Sequence, residues 1–176
     1  MRKILVSLVL ISLCAFGTTN FEYAVEKLII FEGSDIDKSI GTIHSKYGIT
    51  RPTLKRYNGR TDVENLTKNV AKDIIYKLYW KEYDLDRIMD KRSALLVLDF
   101  IYNSNSYNAL KQIDKCLGVK VDGKLSTTDI ARINYIGYKS FYTLYSKQRL
   151  NYMKSLKNWS KFSRGWKLRV EELGKL

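Results

Sequence analysis

The segment that most limits the fold of this chain is residues 94–102, ALLVLDFIY, which is apolar on every side of a helix except at Asp99. A helix with no polar face is buried on all sides by other parts of the protein. No segment of the chain alternates apolar and polar residues in the way that a half-exposed strand does. The sequence therefore predicts an all-α protein with this segment as its central helix.

Helical periodicity predicts the elements around the central helix as well. Gly33 stands where the first helix should end, and Thr67 stands where the second should begin. The predicted helices cover residues 21–32, 67–80, 91–103, 107–117, 127–136, 138–156 and 163–173. Residues 33–58 have no helical period, so they predict a long loop with room for a short hairpin.

The N-terminus has the pattern of an export signal. Arg2 and Lys3 precede an apolar run over residues 4–16, which is too short to cross a bilayer comfortably and ends in small residues. We expect residues 1–17 to be a signal peptide and the mature protein to be exported, to the periplasm or the cell exterior. The alternatives are a buried N-terminal helix, an uncleaved membrane anchor, and lipidation at Cys14. Cleavage would leave Cys116 as the remaining cysteine, which excludes an intramolecular disulfide.

The charge of the chain points to an anionic partner. There are 31 Lys and Arg residues against 18 Asp and Glu, a net charge of +13, and such a charge attracts polyanions. Nucleic acid is not expected, because the chain has an export signal and no helix-turn-helix or RNA-binding signature. The basic tail from residue 138 onward, rich in Tyr and Trp, is expected to fill part of the core and to hold the protein on an anionic wall or membrane surface.

The sequence argues against a metal or another cofactor. The chain has one histidine, His44, and one cysteine after export, and these do not make a set of metal ligands. No nucleophile-elbow pattern occurs, which argues against Ser-His-Asp catalysis. Any catalysis is therefore expected to come from carboxylic acids.

Glu32 is the strongest candidate for such an acid. It lies on the apolar face of the last turn of the first predicted helix, with Leu28 and Ile29 one turn before it. Burial and the negative end of the helix dipole both disfavour a charged carboxylate, so the pKa of Glu32 is expected to rise. A carboxylic acid that keeps its proton near neutral pH can protonate the leaving oxygen of a sugar linkage. The alternative is an ordinary surface glutamate that ends a helix.

The residues after Glu32 resemble a known family. The stretch FEGSDIDKSIGTIHSKYGIT, residues 31–50, resembles the N-terminal signature of the glycoside hydrolase family 108 N-acetylmuramidases, which begins with Glu-Gly and ends with Tyr-Gly-Ile-Thr. Further fragments follow in the family's order over nearly the whole mature chain. They are Leu66-Thr67, Ala71, Ile75-Tyr76, Tyr79-Trp80, Asp99 with Asn103, Gly118, Asp122-Gly123, Thr127-Thr128, Phe162, Gly165-Trp166 and Arg169.

The resemblance implies a lysozyme-like fold and an activity. It implies a catalytic half over residues 18–104 and a helical half over residues 105–176 that resembles a peptidoglycan-binding domain and packs on the first. The implied reaction is hydrolysis of the β-1,4 bond between N-acetylmuramic acid and N-acetylglucosamine in peptidoglycan, with Glu32 as general acid. The implied partners are peptidoglycan glycan strands, and the protein is expected to act as a monomer.

The chain departs from the family pattern at the second catalytic position. The family follows its Glu with an Asp and then a Thr that stabilise the transition state or position water. Here the Gly-Gly before that Thr is missing, the loop is shorter, and Ser45 stands in the place of the Thr. A serine hydroxyl has the same hydrogen-bonding groups as threonine. Asp37 is the nearest candidate for the carboxylate, with Asp35 behind it, and both also fit the description of solvated acids in a polar loop.

Four further residues are candidates for substrate binding. Tyr47 and Gly48 are expected to form the floor of the cleft, where Gly allows the backbone to come close. Asp99 and Asn103 lie four residues apart on one helix face, and a buried carboxylate needs a partner. They are expected to bond to each other, to the backbone of the loop over residues 33–50 as a structural clamp, or to sugar. The alternative for the whole protein is a catalytically silent peptidoglycan-binding or secretion accessory protein with the same fold.

Overall fold

The computed structural model describes residues 19–34, 37–40 and 43–176, with the backbone alone for residues 37–40 and 43–44. Within these residues the fold is built from helices and one small sheet, so the all-α prediction is confirmed. The predicted signal peptide, with Cys14, lies outside the described residues. The helices are α1 (Asn20–Glu32), α2 (Arg51–Asn58), α3 (Lys68–Ile75), α4 (Lys91–Asn103), α5 (Ser106–Leu117), α6 (Thr127–Lys154) and α7 (Trp159–Gly174).

Helix α4 is the centre of the fold, as its apolar sequence predicts. Its residues 93–101 are all at most 1% exposed, and it packs against α1, α5 and α6. The Asp90 side chain caps the helix by accepting hydrogen bonds from the backbone N–H groups of Arg92 and Ser93, at 2.9 and 3.0 Å. Asp99 is buried within this apolar helix, so its charge needs partners from other elements.

Helix α1 places Glu32 at its last turn. The helix begins with a capping box between Thr19 and Glu22, which satisfies backbone N–H groups at its start. It ends at Gly33, whose φ of 75° is a conformation that glycine adopts easily. The predicted end of this helix is therefore confirmed.

A three-stranded antiparallel sheet follows α1, so the hairpin allowed for in the loop is confirmed. Its strands are β1 (Asp37–Ile40), β2 (Ile43–Lys46) and β3 (Ile49–Thr50), in that order. Lys46 pairs with Ile49, which leaves Tyr47 and Gly48 as a two-residue turn. Both turn residues have positive φ, 57° and 76°, as the turns that suit the twist of a hairpin require.

The prediction of a loop up to residue 58 is wrong for its last part, because Arg51–Asn58 forms helix α2. Its cap is Thr50, whose hydroxyl accepts a hydrogen bond from the N–H of Thr53 at 3.4 Å. Pro52 lies in the first turn, where a missing N–H costs nothing. Proline therefore marks the start of a helix here and does not mark a loop.

The next segment, residues 63–87, packs in its first part in a second, smaller core with α2 and β3, and in its last part against α4. Thr67 caps α3, as predicted, and α3 continues into one turn of π-helix, Tyr76–Trp80, in which the Lys81 N–H reaches the Tyr76 carbonyl at 2.9 Å. The Trp80 ring is fully buried, and its N–H donates to Asp86 at 2.6 Å. Two short 3₁₀ turns, Val63–Asn65 and Leu85–Arg87, complete the segment.

The C-terminal helices share one hydrophobic core with the N-terminal ones. Helix α6 breaks at Gly137, whose φ is 70°, so that it consists of two helices with the boundary that the sequence predicts. Helix α7 begins at Trp159, four residues before the predicted start. The core extends without interruption from α1 and α4 to α5, α6 and α7, while the functional division at residue 104 stays a prediction. In the described part of the chain, the helices are too short or too polar to span a membrane.

Candidate active site

Glu32 lies where α1, the hairpin turn, α4 and α7 meet. Its side chain is 14% exposed, and its Oε1 atom lies 2.6 Å from the Nη2 atom of Arg169 in α7. Its Oε2 atom faces the backbone of Gly48 in the hairpin turn. The carboxyl group thus bonds to α7 and lies close to the hairpin turn, two elements that are far apart in the sequence.

Gly48 comes so close to Glu32 that no other residue fits without a shift. A Cβ atom at this position would lie 2.7 Å from Glu32 Oε2 and 2.7 Å from Cε1 of Tyr102. The turn is held by the Tyr102 hydroxyl, which donates to the Tyr47 carbonyl at 2.8 Å. Burial, and then the nearby Glu32 carboxylate, raise the pKa of Tyr102 well above its ordinary value, so this hydroxyl keeps its proton. Gly48 therefore forms the close approach that the sequence suggested for it.

Arg169 connects Glu32 to the buried carboxylate of Asp99. Its Nε and Nη2 atoms donate to Asp99 Oδ1 at 2.8 and 2.6 Å, while the same Nη2 reaches Glu32. Burial alone would lower the pKa of Arg169, but the Asp99 and Glu32 carboxylates outweigh it, and the net shift is upward. Arg169 is therefore a permanent cation that Asp99 holds in place next to Glu32.

A second arginine completes the network beneath Asp99. Arg149 in α6 is fully buried, and its Nη1 donates to Asp99 Oδ2 at 2.5 Å and also to the Tyr145 hydroxyl. Burial alone would raise the pKa of Asp99, but Arg149 and then Arg169 outweigh it and lower the pKa. Asp99 is thus a charged group shared between two guanidinium groups.

The structure changes the roles expected for Asp99 and Asn103. Asp99 does not hold the loop over residues 33–50, since both its oxygens bind arginines of α6 and α7. That clamp is Tyr102, from the same helix. The two predicted partners do not bond through their side chains, because the Asn103 amide donates to the Asp99 backbone carbonyl at 3.0 Å. Asp99 is 0% exposed, so it has no surface on which to contact sugar, whereas Asn103 is exposed.

The two candidates for the second catalytic position lie opposite each other in the sheet. The register pairs Asp37 of β1 with Ser45 of β2, and pairs Ser45 in turn with Thr50 of β3. Ser45 is partly buried, and only the backbone of Asp37 is described. Asp35 and the side chain of His44 lie outside the described residues. The register brings together the two residues that the family resemblance suggests for the second catalytic position.

From the sequence, no role in this site was assigned to four of its residues, Tyr102, Tyr145, Arg149 and Arg169. Arg169 was noted only as part of the family resemblance. A signal for Arg149 was present in the spacing of α6, because Phe141, Tyr145, Arg149 and Met153 recur every four residues and are all buried. An arginine in the middle of an apolar stripe needs a buried anion, and Asp99 in an apolar helix needs a buried cation. The burial of Asp99 and the burial of Arg149 could therefore each have been used to predict the other residue as its partner.

A pocket of about 380 Å³ opens next to the network, between the C-terminal ends of α1 and α4 and the facing sides of α6 and α7. Its wall is partly apolar, from Phe31, Met153 and Trp166, and partly polar, from Asn103 and the two arginines. The Arg169 guanidinium lies over the Phe31 ring at 5.1 Å. In the described part of the chain, no group of three or more His, Cys, Asp or Glu residues is placed to hold a metal ion.

Comparison with known proteins finds a matching family and a similar solved structure. Residues 33–104 match the model of the family described as Glycosyl hydrolase 108. The structure of SagA from Brucella abortus is similar, with a TM-score of 0.75 and 29% identity over 87% of this chain and 90% of that one. No curated protein matches the sequence. The resemblance to glycoside hydrolase family 108 is confirmed. The matched residues include Asp99 but not Glu32, Arg149 or Arg169.

Proposed function

We propose, because the resemblance to glycoside hydrolase family 108 is confirmed, that this protein is an N-acetylmuramidase. It hydrolyses the β-1,4 bond between N-acetylmuramic acid and N-acetylglucosamine in peptidoglycan, with Glu32 as the general acid. The observation that carries the proposal is the setting of Glu32. Its carboxyl group is largely buried where four elements meet, and the hairpin turn comes so close to it that position 48 has no room for a larger residue than glycine.

The reaction needs Glu32 to give a proton to the oxygen that leaves the muramic acid ring. Arg169 fixes the position of the Glu32 carboxyl, and Asp99 fixes Arg169 through two hydrogen bonds to one oxygen. We assign Asp99 and Arg169 as positioning residues, since neither oxygen of Asp99 is free to touch substrate. This assignment replaces the direct sugar contact considered for Asp99 from the sequence.

The second half of the reaction needs a group that stabilises the positive charge on the sugar or directs water to it. The pairing of Asp37 with Ser45 supports these two residues for that role, with Asp37 as the carboxylate and Ser45 in the place of the family's Thr. Tyr47, Gly48 and Asn103 are proposed to line the substrate cleft, as the sequence suggested.

The test is the Glu32→Gln substitution, which keeps the size and hydrogen-bonding shape of the side chain but removes its acidic proton. The variant should lose release of new reducing ends from purified sacculi by a factor of at least about 1,000. The matched control is Glu26→Gln, an exposed glutamate of the same helix that pairs with Lys68 and Lys72. Muramic acid at the new reducing ends identifies the bond; N-acetylglucosamine there would contradict the proposal.

The alternative function is a catalytically silent peptidoglycan-binding or secretion accessory protein. The missing Gly-Gly in the family's loop pattern favours it, because that loop carries the second catalytic position. Under this alternative, wild-type protein and Glu32→Gln bind sacculi equally and neither releases reducing ends. The same pair of measurements therefore separates the two functions.

Location and surface binding belong to the proposal. An exported protein meets peptidoglycan directly. The full chain has a net charge of +13, of which only Arg2 and Lys3 lie in the proposed signal peptide, so the mature protein stays basic and favours contact with the anionic wall or membrane surface. The exposed Lys and Arg residues of α6 and α7 are the proposed contact surface, and the proposed form is a monomer without cofactor.

A further inference from the structure

The pocket beside Glu32 contains a buried cation with unused hydrogen-bond donors. Arg149 lines this pocket, is 0% exposed, and has no hydrogen-bond partner for its Nε and Nη2 atoms among the described residues. Buried donors without acceptors are costly, and those of a charged group most of all. These donors are closed to solvent, so an acceptor that enters the pocket reaches Arg169, which is 16% exposed, and gains the Arg149 bonds once the lining side chains shift.

The pocket wall carries two arginines and one carboxylate, Glu172, whose charge is offset by an ion pair with Lys175 at 2.5 Å. The groups that face Glu32 are Arg169 from α7 and Asp99 and Tyr102 from α4, with Arg149 of α6 behind Asp99, while the hairpin faces it with the backbone of Gly48. Two arginines balance two carboxylates as long as Glu32 is ionised. A protonated Glu32 leaves this buried cluster with one uncompensated positive charge, which a further carboxylate would neutralise.

We propose that this pocket, the arginine pocket, binds a carboxylate of the peptidoglycan substrate. The pocket is defined by Phe31, Asn103, Arg149, Gly165, Trp166 and Arg169. Its partly apolar wall with a few polar groups suits a sugar substituent that has both a carbon skeleton and an acid group. The inference rests on the proposed function for the identity of the substrate.

Two sources can supply the carboxylate in peptidoglycan. One is the lactyl group of muramic acid, which is free once the stem peptide has been removed. The other is the stem peptide itself. Both offer the same chemistry to a guanidinium group, a planar anion that accepts two hydrogen bonds.

The Glu32→Gln variant carries no charge at position 32 and is expected not to consume substrate. Its two arginines face only the Asp99 carboxylate, so the cluster has one positive charge that a ligand carboxylate can neutralise. The variant is therefore the form in which binding of carboxylate-bearing glycans is measured.

Gly165 offers a way to fill the pocket without touching the buried charges. It lies in α7 on the pocket wall, and a Cβ atom added there meets nothing within 4 Å. Gly165→Met should project into the pocket, and Gly165→Ala is the matched control that makes the same change in the helix backbone. Both replacements should leave the helix intact, since alanine and methionine favour helix more than glycine does.

The experiment measures binding by Trp fluorescence in three proteins: Glu32→Gln, Glu32→Gln with Gly165→Ala, and Glu32→Gln with Gly165→Met. The probes are three soluble oligosaccharides of equal length. They are a peptidoglycan oligomer with free lactyl groups, the same oligomer with stem peptides, and a chitin oligomer, which has no carboxylate. We expect the first two proteins to bind at least one carboxylate-bearing oligomer about 10- to 100-fold more tightly than chitin, and the Met variant to lose this preference.

Each outcome decides a separate question. The carboxylate-bearing oligomer that gains the affinity identifies its source. Equal binding of all three oligomers by Glu32→Gln, or an unchanged preference after Gly165→Met, overturns the arginine pocket. Failure of the proposed function shows differently: Glu32→Gln has the preference, but the wild-type protein releases no reducing ends from sacculi.

Discussion

Replacement of Arg169 by glutamine should cost more stability than any ordinary surface substitution, because it removes a cation from two carboxylates at once. Asp99 would keep only Arg149, and Glu32 would lose its ion pair at 2.6 Å. Removal of one partner from a buried ion pair costs about 3–5 kcal/mol. Arg169 is 16% exposed and Asp99 keeps one partner, so we expect about 3 kcal/mol. For a chain of this length that corresponds to a fall in Tm of about 6–12 °C.

The assay is urea unfolding of four proteins: wild type, Arg169→Gln, Asp99→Asn and the double variant. Because the two side chains share hydrogen bonds, the double variant should lose clearly less free energy of unfolding than the sum of the single losses. Arg164→Gln is the control, since it removes an exposed arginine from the same helix and should change stability by at most about 0.5 kcal/mol. Additive losses, or an Arg169→Gln protein as stable as the control, would refute the network.

Three further predictions concern single positions. Gly48→Ala should reduce activity much more than Gly59→Ala. Both glycines have positive φ, but only a Cβ atom at position 48 would meet Glu32, at 2.7 Å. The test compares the activity of the two variants at equal folded fraction. Since the pKa of Asp99 is lowered in the folded state, its charge stabilises the fold above the ordinary Asp pKa of about 4 and this contribution is lost as pH falls below it; the unfolding free energy of wild type should therefore fall more steeply in acid than that of Asp99→Asn. Burial, and then Asp114, raise the pKa of the Cys116 thiol to about 12. In a Cys14→Ser chain this thiol should therefore react slowly with a disulfide reagent at pH 8, and fast once urea unfolds the protein. Fast reaction of the folded protein would contradict the burial of the thiol.

Local chemistry made the helix ends predictable from the sequence. Gly33, Thr67 and Gly137 stop, cap or break a helix through their own backbone preferences, and the structure has helix boundaries at all three. The position of Glu32 follows from the first of these. Helix α2 was missed because the capping role of Thr50 and the position of Pro52 outweighed the lack of an apolar period.

The partners of Glu32 could not be predicted in the same way. The burial of Asp99 was visible in its apolar surroundings, and it required a cation, but the chain has 31 Lys and Arg residues. Arg149 could have been selected from its place in a buried stripe of α6. Arg169 lies in a helix with a largely exposed face, and its contact with Glu32 depends on how α7 docks, which no local pattern encodes.

The contact between Glu32 and Arg169 joins residues 137 positions apart. A growing polypeptide that has already made its first helix, hairpin and central helix still has no guanidinium group to hold the acid. The assembly of the site therefore waits until α7 has been synthesised and docked. A chain cut short before α7 would lack the guanidinium group that positions Glu32, so the proposed hydrolysis depends on the docking of this helix.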